Sequence, residues 1–307
     1  MISIFKNSKI NFISSFKLCT VLSMVMISIG ILFFIFKGPQ LGIDFKGGTE
    51  IIIKNNKING DINSFKINLS KFLETNKIDV SNIKSYGNDK FQILIEDSNH
   101  NKNDIINKIN SFKISDINVI GYSKIGSTIS NELTRNAMQA LFIAVLLIGF
   151  YIIIRFDWYS SIGSIMAIIH DILIVISLLV LFEFQFDINI IAAFLIIIGY
   201  SLNDTIVVFD RIRENLDEYS NMDLNKIINL SLNETLSRTT ITSLTTLFVL
   251  LSLFIFGGSS LIGLSFALVI GIISGTYSSI FIATPIMMYL REKYYFDDEE
   301  ENWKKIT

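Results

Sequence analysis

Six long apolar runs divide the chain: Phe16–Phe36, Ala137–Ile154, Ile162–Phe182, Ile188–Phe209, Thr239–Phe256 and Leu261–Leu290. About 20 apolar residues in a helix rising 1.5 Å per residue cross the ~30 Å hydrocarbon core of a bilayer. The pattern therefore predicts six membrane-spanning helices. The first run is longer than the ~7–15-residue core of a cleaved signal peptide. It ends in Lys37-Gly38-Pro39-Gln40, with no run of small residues to cut, which predicts an uncleaved span.

Between the first two runs the period changes. Thr49–Lys54 is β-branched and apolar. Asp61–Leu73 carries Ile62, Phe65, Leu69, Phe72 and Leu73 at helical spacing. Val80–Tyr86 and Phe91–Ile95 read as strands around Gly87-Asn88-Asp89, Asp104–Phe112 as a second helix, and Ile117–Ile125 as a last strand. The predicted order is β-α-β-β-α-β, a ferredoxin-like arrangement. The expected fold is thus a membrane all-α bundle of six transmembrane helices with a small α+β domain. Its parts are 1–36 (N-terminus and first span), 37–135 (the α+β domain), 136–290 (five further spans) and 291–307 (tail).

Charge gives the orientation. Lys6, Lys9 and Lys17 precede the first span, Arg155 lies between the second and third, Arg211, Arg213 and Lys226 between the fourth and fifth, and Arg291 and Lys293 after the sixth. The short loops Glu183–Asp187 and Gly257–Ser260 carry no Lys or Arg. The positive-inside rule then puts both termini in the cytoplasm and 37–135 outside. Charged residues make up 18% of the 307, against about 25% in soluble domains, and nearly half lie between Lys37 and Arg135. No basic face argues for nucleic acid. With one cysteine, Cys19, and two histidines, His100 and His170, no disulfide or metal cluster is expected.

The candidate chemistry lies inside the spans. No phosphate-cradling glycine loop is present; Gly47-Gly48 follows Asp44-Phe45-Lys46 without joining a strand to a helix. Neither an enzymatic site nor a cofactor is expected, and energy for any work must come from a partner or an ion gradient. Asp171, beside His170, lies mid-way along the third run, and Asp204 lies in the fourth. Ionisable groups in lipid are costly and mark ion routes or polar glue. Tyr200, Asn203, Asp204 and Val207 are spaced to share one side of the fourth helix. Arg238 begins the fifth, followed by a stripe of Thr239, Thr242, Ser243 and Thr246. Arg238 reads equally as an interfacial anchor. The sixth run carries Gly263, Ala267, Gly271, Gly275, Ser279 and Ala283 at i+4 spacing, a ridge for close packing against this chain or a partner. Arg211, Arg213 and Glu214, with Leu224, Ile227, Ile228 and Leu232, suggest an amphipathic helix on the membrane surface.

Several stretches together resemble the SecF branch of the SecD/SecF family of protein-export membrane proteins. These are LGIDFKGGT from Leu41 to Thr49, RFDW from Arg155 to Trp158, His170-Asp171, GYSLNDTIVVFDRIREN from Gly199 to Asn215, LSRT from Leu236 to Thr239, and Phe256-Gly257-Gly258. The resemblance implies a protein of the resistance-nodulation-division superfamily in the bacterial plasma (inner) membrane. It implies pairing with SecD and proton-driven assistance to the SecYEG translocon as polypeptides are exported. It also implies that Asp204 and Arg238 lie on the proton path, with Asp171 a further candidate. A small-molecule exporter of the same superfamily would carry twelve spans and two large outer domains. An uncoupled assembly subunit would use the same polar residues as glue. Proton and sodium remain alternative coupling ions.

Overall fold

The structure is a computed structural model and describes residues 10–56, 62–76, 78–86, 89–96, 102–112, 117–219 and 221–294. His100, the turn residues Gly87 and Asn88, and the acidic run Asp297–Glu301 lie outside the described residues. The chain divides into two units: Leu41–Gln139 with Phe186–Ile188, and the remainder.

In the smaller unit, β2 (Gly48–Asn55), α3 (Ile62–Thr75), β3 (Val80–Tyr86), β4 (Lys90–Ile95), α4 (Lys102–Asn110) and β5 (Ile117–Ile125) follow β1 (Gln40–Leu41) and the short α2 (Ile43–Lys46). The sheet order is β3-β4-β2-β5, all neighbours antiparallel. Alternation fixes its inner face. Ile51, Ile53, Phe91, Ile93 and Ile95 are sealed against Phe65, Leu69 and Leu73 of α3 and Ile105 and Ile109 of α4. Phe112, read as helical, follows α4 and still packs into this core. Ile52 pairs with Gly121 and Ile53 with Val119, so Ile120 bulges out of β5. Such a bulge adds twist at an edge strand. Gly48 has a positive φ, and a Cβ there would stand 2.7 Å from the Ile95 carbonyl oxygen, so only glycine lets β2 start so close to β4.

The larger unit is helical: α1 (Phe16–Lys37), the membrane part of α5 (Ser127–Arg155), α6 (Trp158–Leu181), α7 (Ile188–Glu218), α8 (Leu224–Phe256) and α9 (Ser259–Ser278). β6 (Gln185–Phe186) precedes α7. After a π-turn at Ser279–Ala283 the last helix resumes over 284–294. Among the described residues, six helices are long and apolar enough to cross a membrane.

The surface helix suggested for 211–232 does not exist as a separate element. No glycine or proline interrupts 200–256, so α7 runs on to Glu218 and α8 begins at Leu224. The two extensions clamp together. Arg211 pairs with Glu234 at 2.7 Å, while Asn215 Nδ2 donates to Ser231 and Glu234. Ile212, Ile227, Ile228 and Leu232 are buried.

The π-turn has a local cause. Pro285 has no N–H, and its ring crowds the carbonyl four residues back. That carbonyl belongs to Phe281, inside the π-turn, and accepts a hydrogen bond from Thr20 Oγ1 of α1 at 3.1 Å. Thr284 Oγ1 donates back to Ser279 O. A Cβ on Gly163 of α6 would lie 2.6 Å from the Ala283 carbonyl oxygen, so α6 packs directly on the displaced backbone.

The small-residue ridge is not one straight face. Residues four apart advance about 40° around a helix of 3.6 residues per turn, so the ridge spirals. A Cβ at Gly271 would run into the Ile197 side chain of α7, and one at Gly275 would lie 3.0 Å from Ser201 Cβ. Ala283, further round, meets α6 instead. The ridge therefore serves this chain's own helices. Gly271→Leu is expected to cost about 1–3 kcal/mol by overpacking, read as a lower unfolding midpoint in detergent. Gly263→Ala, whose new methyl would meet Ile190 at 3.7 Å, should be neutral. An unchanged midpoint for Gly271→Leu would show that α7 and α9 do not meet there.

Candidate functional site

Two carboxylates are sealed inside the helical unit, and α9 supplies hydrogen-bond donors to both. Asp171 of α6 is 0% exposed and Asp204 of α7 is 1% exposed. Around Asp171, Oδ1 accepts from Ser274 Oγ at 2.6 Å and contacts His170 Nδ1 at 3.0 Å. Oδ2 accepts from Ser201 Oγ at 2.6 Å and Ser278 Oγ at 2.8 Å. Three helices thus converge on one side chain, and both oxygens carry two partners. The three serine hydroxyls can all donate to Asp171.

Asp204 is held more lightly. Thr276 Oγ1 reaches its Oδ2 at 3.1 Å and Ser243 Oγ at 3.5 Å, the outer limit of a hydrogen bond. No described residue hydrogen-bonds its Oδ1. Ser243 Oγ and Thr276 Oγ1 are 2.6 Å apart. Either hydroxyl can be the donor in that pair, and Thr276 Oγ1 also lies 3.1 Å from Ile272 O; one arrangement open to them has Ser243 donating to Thr276 and Thr276 donating to Asp204. With a proton on Asp204 the same chain runs in reverse. This is a hydroxyl wire across α8, α9 and α7.

The remaining polar residues behave differently from the sequence reading. Asn203 and Asp204 do not share a face, because successive helical residues turn about 100°: Asn203 is exposed while Asp204 is sealed. In the stripe on α8, Thr239, Thr242 and Thr246 donate to their own helix at Thr235 O, Arg238 O and Thr242 O. Only Ser243 turns to the carboxylate. Tyr200 Oη reaches Thr246 Oγ1 at 3.4 Å, tying α7 to α8. Arg238 is exposed on this chain and forms no ion pair with Asp204; the two interact through space only. No group of three or more acidic, His or Cys residues that fits a metal occurs among the described residues.

The sequence profile described as "Protein export membrane protein SecD/SecF, C-terminal" matches residues 105–293, and that of the "SecD/SecF GG Motif" matches 32–54. The chain belongs to the SecD/SecF family. The protein translocase subunit SecF of Rhodothermus marinus is 41% identical over 94% of this chain and 96% of its own length. That of Calditerrivibrio nitroreducens is 40% identical over 93% and 95%. A crystal structure of SecDF, a translocon-associated membrane protein from Thermus thermophilus, superposes with a TM-score of 0.84 at 32% identity. The match covers 93% of this chain and 39% of that one, so this chain spans well under half the length of the SecDF polypeptide. Family membership and six apolar helices make this a multi-pass membrane protein.

The family's glycine pair, Gly47-Gly48, sits at the start of β2, where both glycines have positive φ and Gly48 lets the backbone approach Ile95. Sequence reasoning missed Ser201, Ser274, Thr276 and Ser278. Ser274, Thr276 and Ser278 lie among the small residues of the ridge, and Ser201 lies on α7 inside the Gly199–Asn215 motif; none was singled out. The signal present was the hydroxyls at 274 and 278, one helical turn apart and opposite Asp171. Replacing both Ser274 and Ser278 by Ala removes two of the donors to Asp171. Loss of a partner to a buried group costs about 1–3 kcal/mol each, so the double variant should unfold at a clearly lower midpoint, and Thr276→Val should lose less. Wild-type stability in the double variant would show that Asp171 does not hold the three helices together.

Proposed function

We propose that this chain is the SecF subunit of a SecD–SecF pair in the bacterial plasma membrane, where it uses an ion gradient, with protons as the coupling ion, to assist polypeptide export through the SecYEG channel. The observation that carries the reading is the Ser243–Thr276–Asp204 chain. It offers a carboxylate with a free oxygen, in a low-dielectric bundle, at the end of a hydroxyl path along which a proton can pass. The names of the relatives, protein translocase subunit SecF and SecDF, support the export role. The chain acts as a transporter subunit, not as an enzyme, and needs no organic cofactor.

Arg238 is the second part. A guanidinium exposed on a membrane-spanning bundle, with Asn203, Thr242 and Thr245 also exposed, is too polar a surface to leave against lipid. In this reading SecD covers the face. Bringing Arg238 toward Asp204 favours the charged carboxylate and releases its proton, and withdrawing it favours the protonated form. Movement between the subunits thereby becomes coupled to ion flow. Asp171, with its four partners, is the fixed point of the bundle. The β-α-β-β-α-β unit is read as a ferredoxin-like domain outside the cytoplasm, with both termini inside, from the charge sorting of the loops. Contacts with exported chains and lipid follow from that placement.

Asp204→Asn keeps shape and removes titration. It should leave the chain folded and able to co-purify with SecD while abolishing gradient-dependent stimulation of export. Asp204→Glu should retain part of the activity, and Arg238→Ala should assemble but couple poorly. Normal export by Asp204→Asn under a limiting proton gradient would reduce Asp204 to polar glue. The orientation has its own check. A reporter fused after Gly60 should behave as extracytoplasmic and one after Asn221 as cytoplasmic; the reverse at either site would contradict the six-span arrangement.

A further inference from the structure

His170 is 7% exposed, deep in α6, and lies outside the Asp204 wire. Its Nδ1 contacts Asp171 Oδ1 at 3.0 Å. Asp171 is within donor reach of the Ser201, Ser274 and Ser278 hydroxyls. A donor at Nδ1 fits this set of contacts, and in that tautomer the neutral ring has its proton on Nδ1 and a bare lone pair on Nε2. That Nε2 is buried, and no described residue hydrogen-bonds it. The ring is stacked on Tyr277 of α9 at 6.0 Å, and Tyr277 is in turn fixed by donating to Cys19 O of α1 at 2.6 Å and accepting from Ser23 at 3.0 Å. An imidazole held in that orientation and tautomer, with its remaining nitrogen left as an acceptor, is the arrangement of a positioned base. A buried polar atom left without a partner costs about 1–3 kcal/mol, a cost that a water on Nε2 would remove.

We propose that His170 Nε2 is a second proton-accepting position, fed by water and oriented by Asp171. The Nε2 lone pair forms an N–H bond as an O–H bond of hydronium breaks and a water molecule leaves. The imidazolium then faces the Asp171 carboxylate, and the pair carries no net charge. The reverse step returns the proton to water. Asp171 remains an acceptor throughout and acts as a positioning residue. The groups facing the ring are Asp171 on its own helix and Tyr277 from α9, with Cys19 of α1 joined to Tyr277 through its backbone oxygen. This inference rests on the ion-driven reading for its role in export, but the chemistry of the dyad is tested without it.

The chain has two histidines, so His100→Gln leaves a single imidazole to observe. In that background, ¹⁵N-histidine NMR of the purified full chain should show Nδ1 protonated and Nε2 bare in the neutral form, with Nε2 gaining its proton on acidification. Asp171→Asn should relax the tautomer preference. An Nε2–H tautomer in the neutral ring, or an Nε2 that never protonates while the protein stays folded, overturns the proposal. In export, His170→Asn places an amide near Nδ1, keeps the donor to Asp171 and lacks Nε2. It should unfold near the wild-type midpoint yet lose stimulation under a limiting proton gradient. Normal stimulation by His170→Asn overturns the role in transport. Normal stimulation by Asp204→Asn sinks the ion-driven reading, and the NMR result then decides the dyad alone. Should His170→Asn fail to fold, the spectrum of the parent protein decides.

Discussion

Placing a carboxylate inside a helical bundle that faces hydrocarbon costs several kcal/mol unless donors compensate it. This chain does so twice, on neighbouring helices, and solves the problem with hydroxyls in place of cations. The last helix carries most of them: Ser274 and Ser278 point to Asp171, and Thr276 to Asp204. Because these three alternate along α9, they reach both carboxylates from one element. Much of the larger unit follows from the need to bring that helix close.

Close approach is arranged by what α9 lacks. Glycines at 271 and 275 let it sit against Ile197 and Ser201 of α7 without side chains between. The π-turn ahead of Pro285 shifts the backbone below the serines and frees the Phe281 carbonyl, which α1 then caps through Thr20. Gly163 lets α6 meet the same turn. The outcome is an asymmetry between the two acids. Asp171 is gripped by four partners from α6, α7 and α9, whereas Asp204 has one firm and one long contact and a free oxygen. A firmly held acid suits a structural role and a lightly held one suits exchange, so the hydrogen-bond count separates two residues of one type.

The sequence showed the six helices and the order of the sheet unit because both rest on period and length, which local pattern carries well. It also marked Asp171, Asp204 and Arg238, since charge in an apolar run stands out. What it could not carry was direction around a helix. Asn203 and Asp204 were read onto one face although one is exposed and the other sealed, because neighbouring positions 100° apart both satisfy a loose spacing rule. Ser274, Thr276 and Ser278 were hidden for a different reason: small polar residues in a membrane helix look the same whether they pack or donate, and only the partner across the gap decides. The extended ends of α7 and α8 were misread as a surface helix since hydropathy falls there, although no glycine or proline lies in 200–256.

The central claim is that the two buried acids do different work, Asp204 exchanging a proton and Asp171 holding the bundle. Infrared difference spectroscopy of the purified protein across a pH step reads this directly, because a carboxylic acid and a carboxylate absorb at separate positions. The account predicts a carboxyl band that appears and disappears with pH, that is lost in Asp204→Asn, and that persists when Asp171 is left with fewer donors by Ser278→Ala. A pH-difference spectrum from which Asp204→Asn removes no carboxyl band would contradict it.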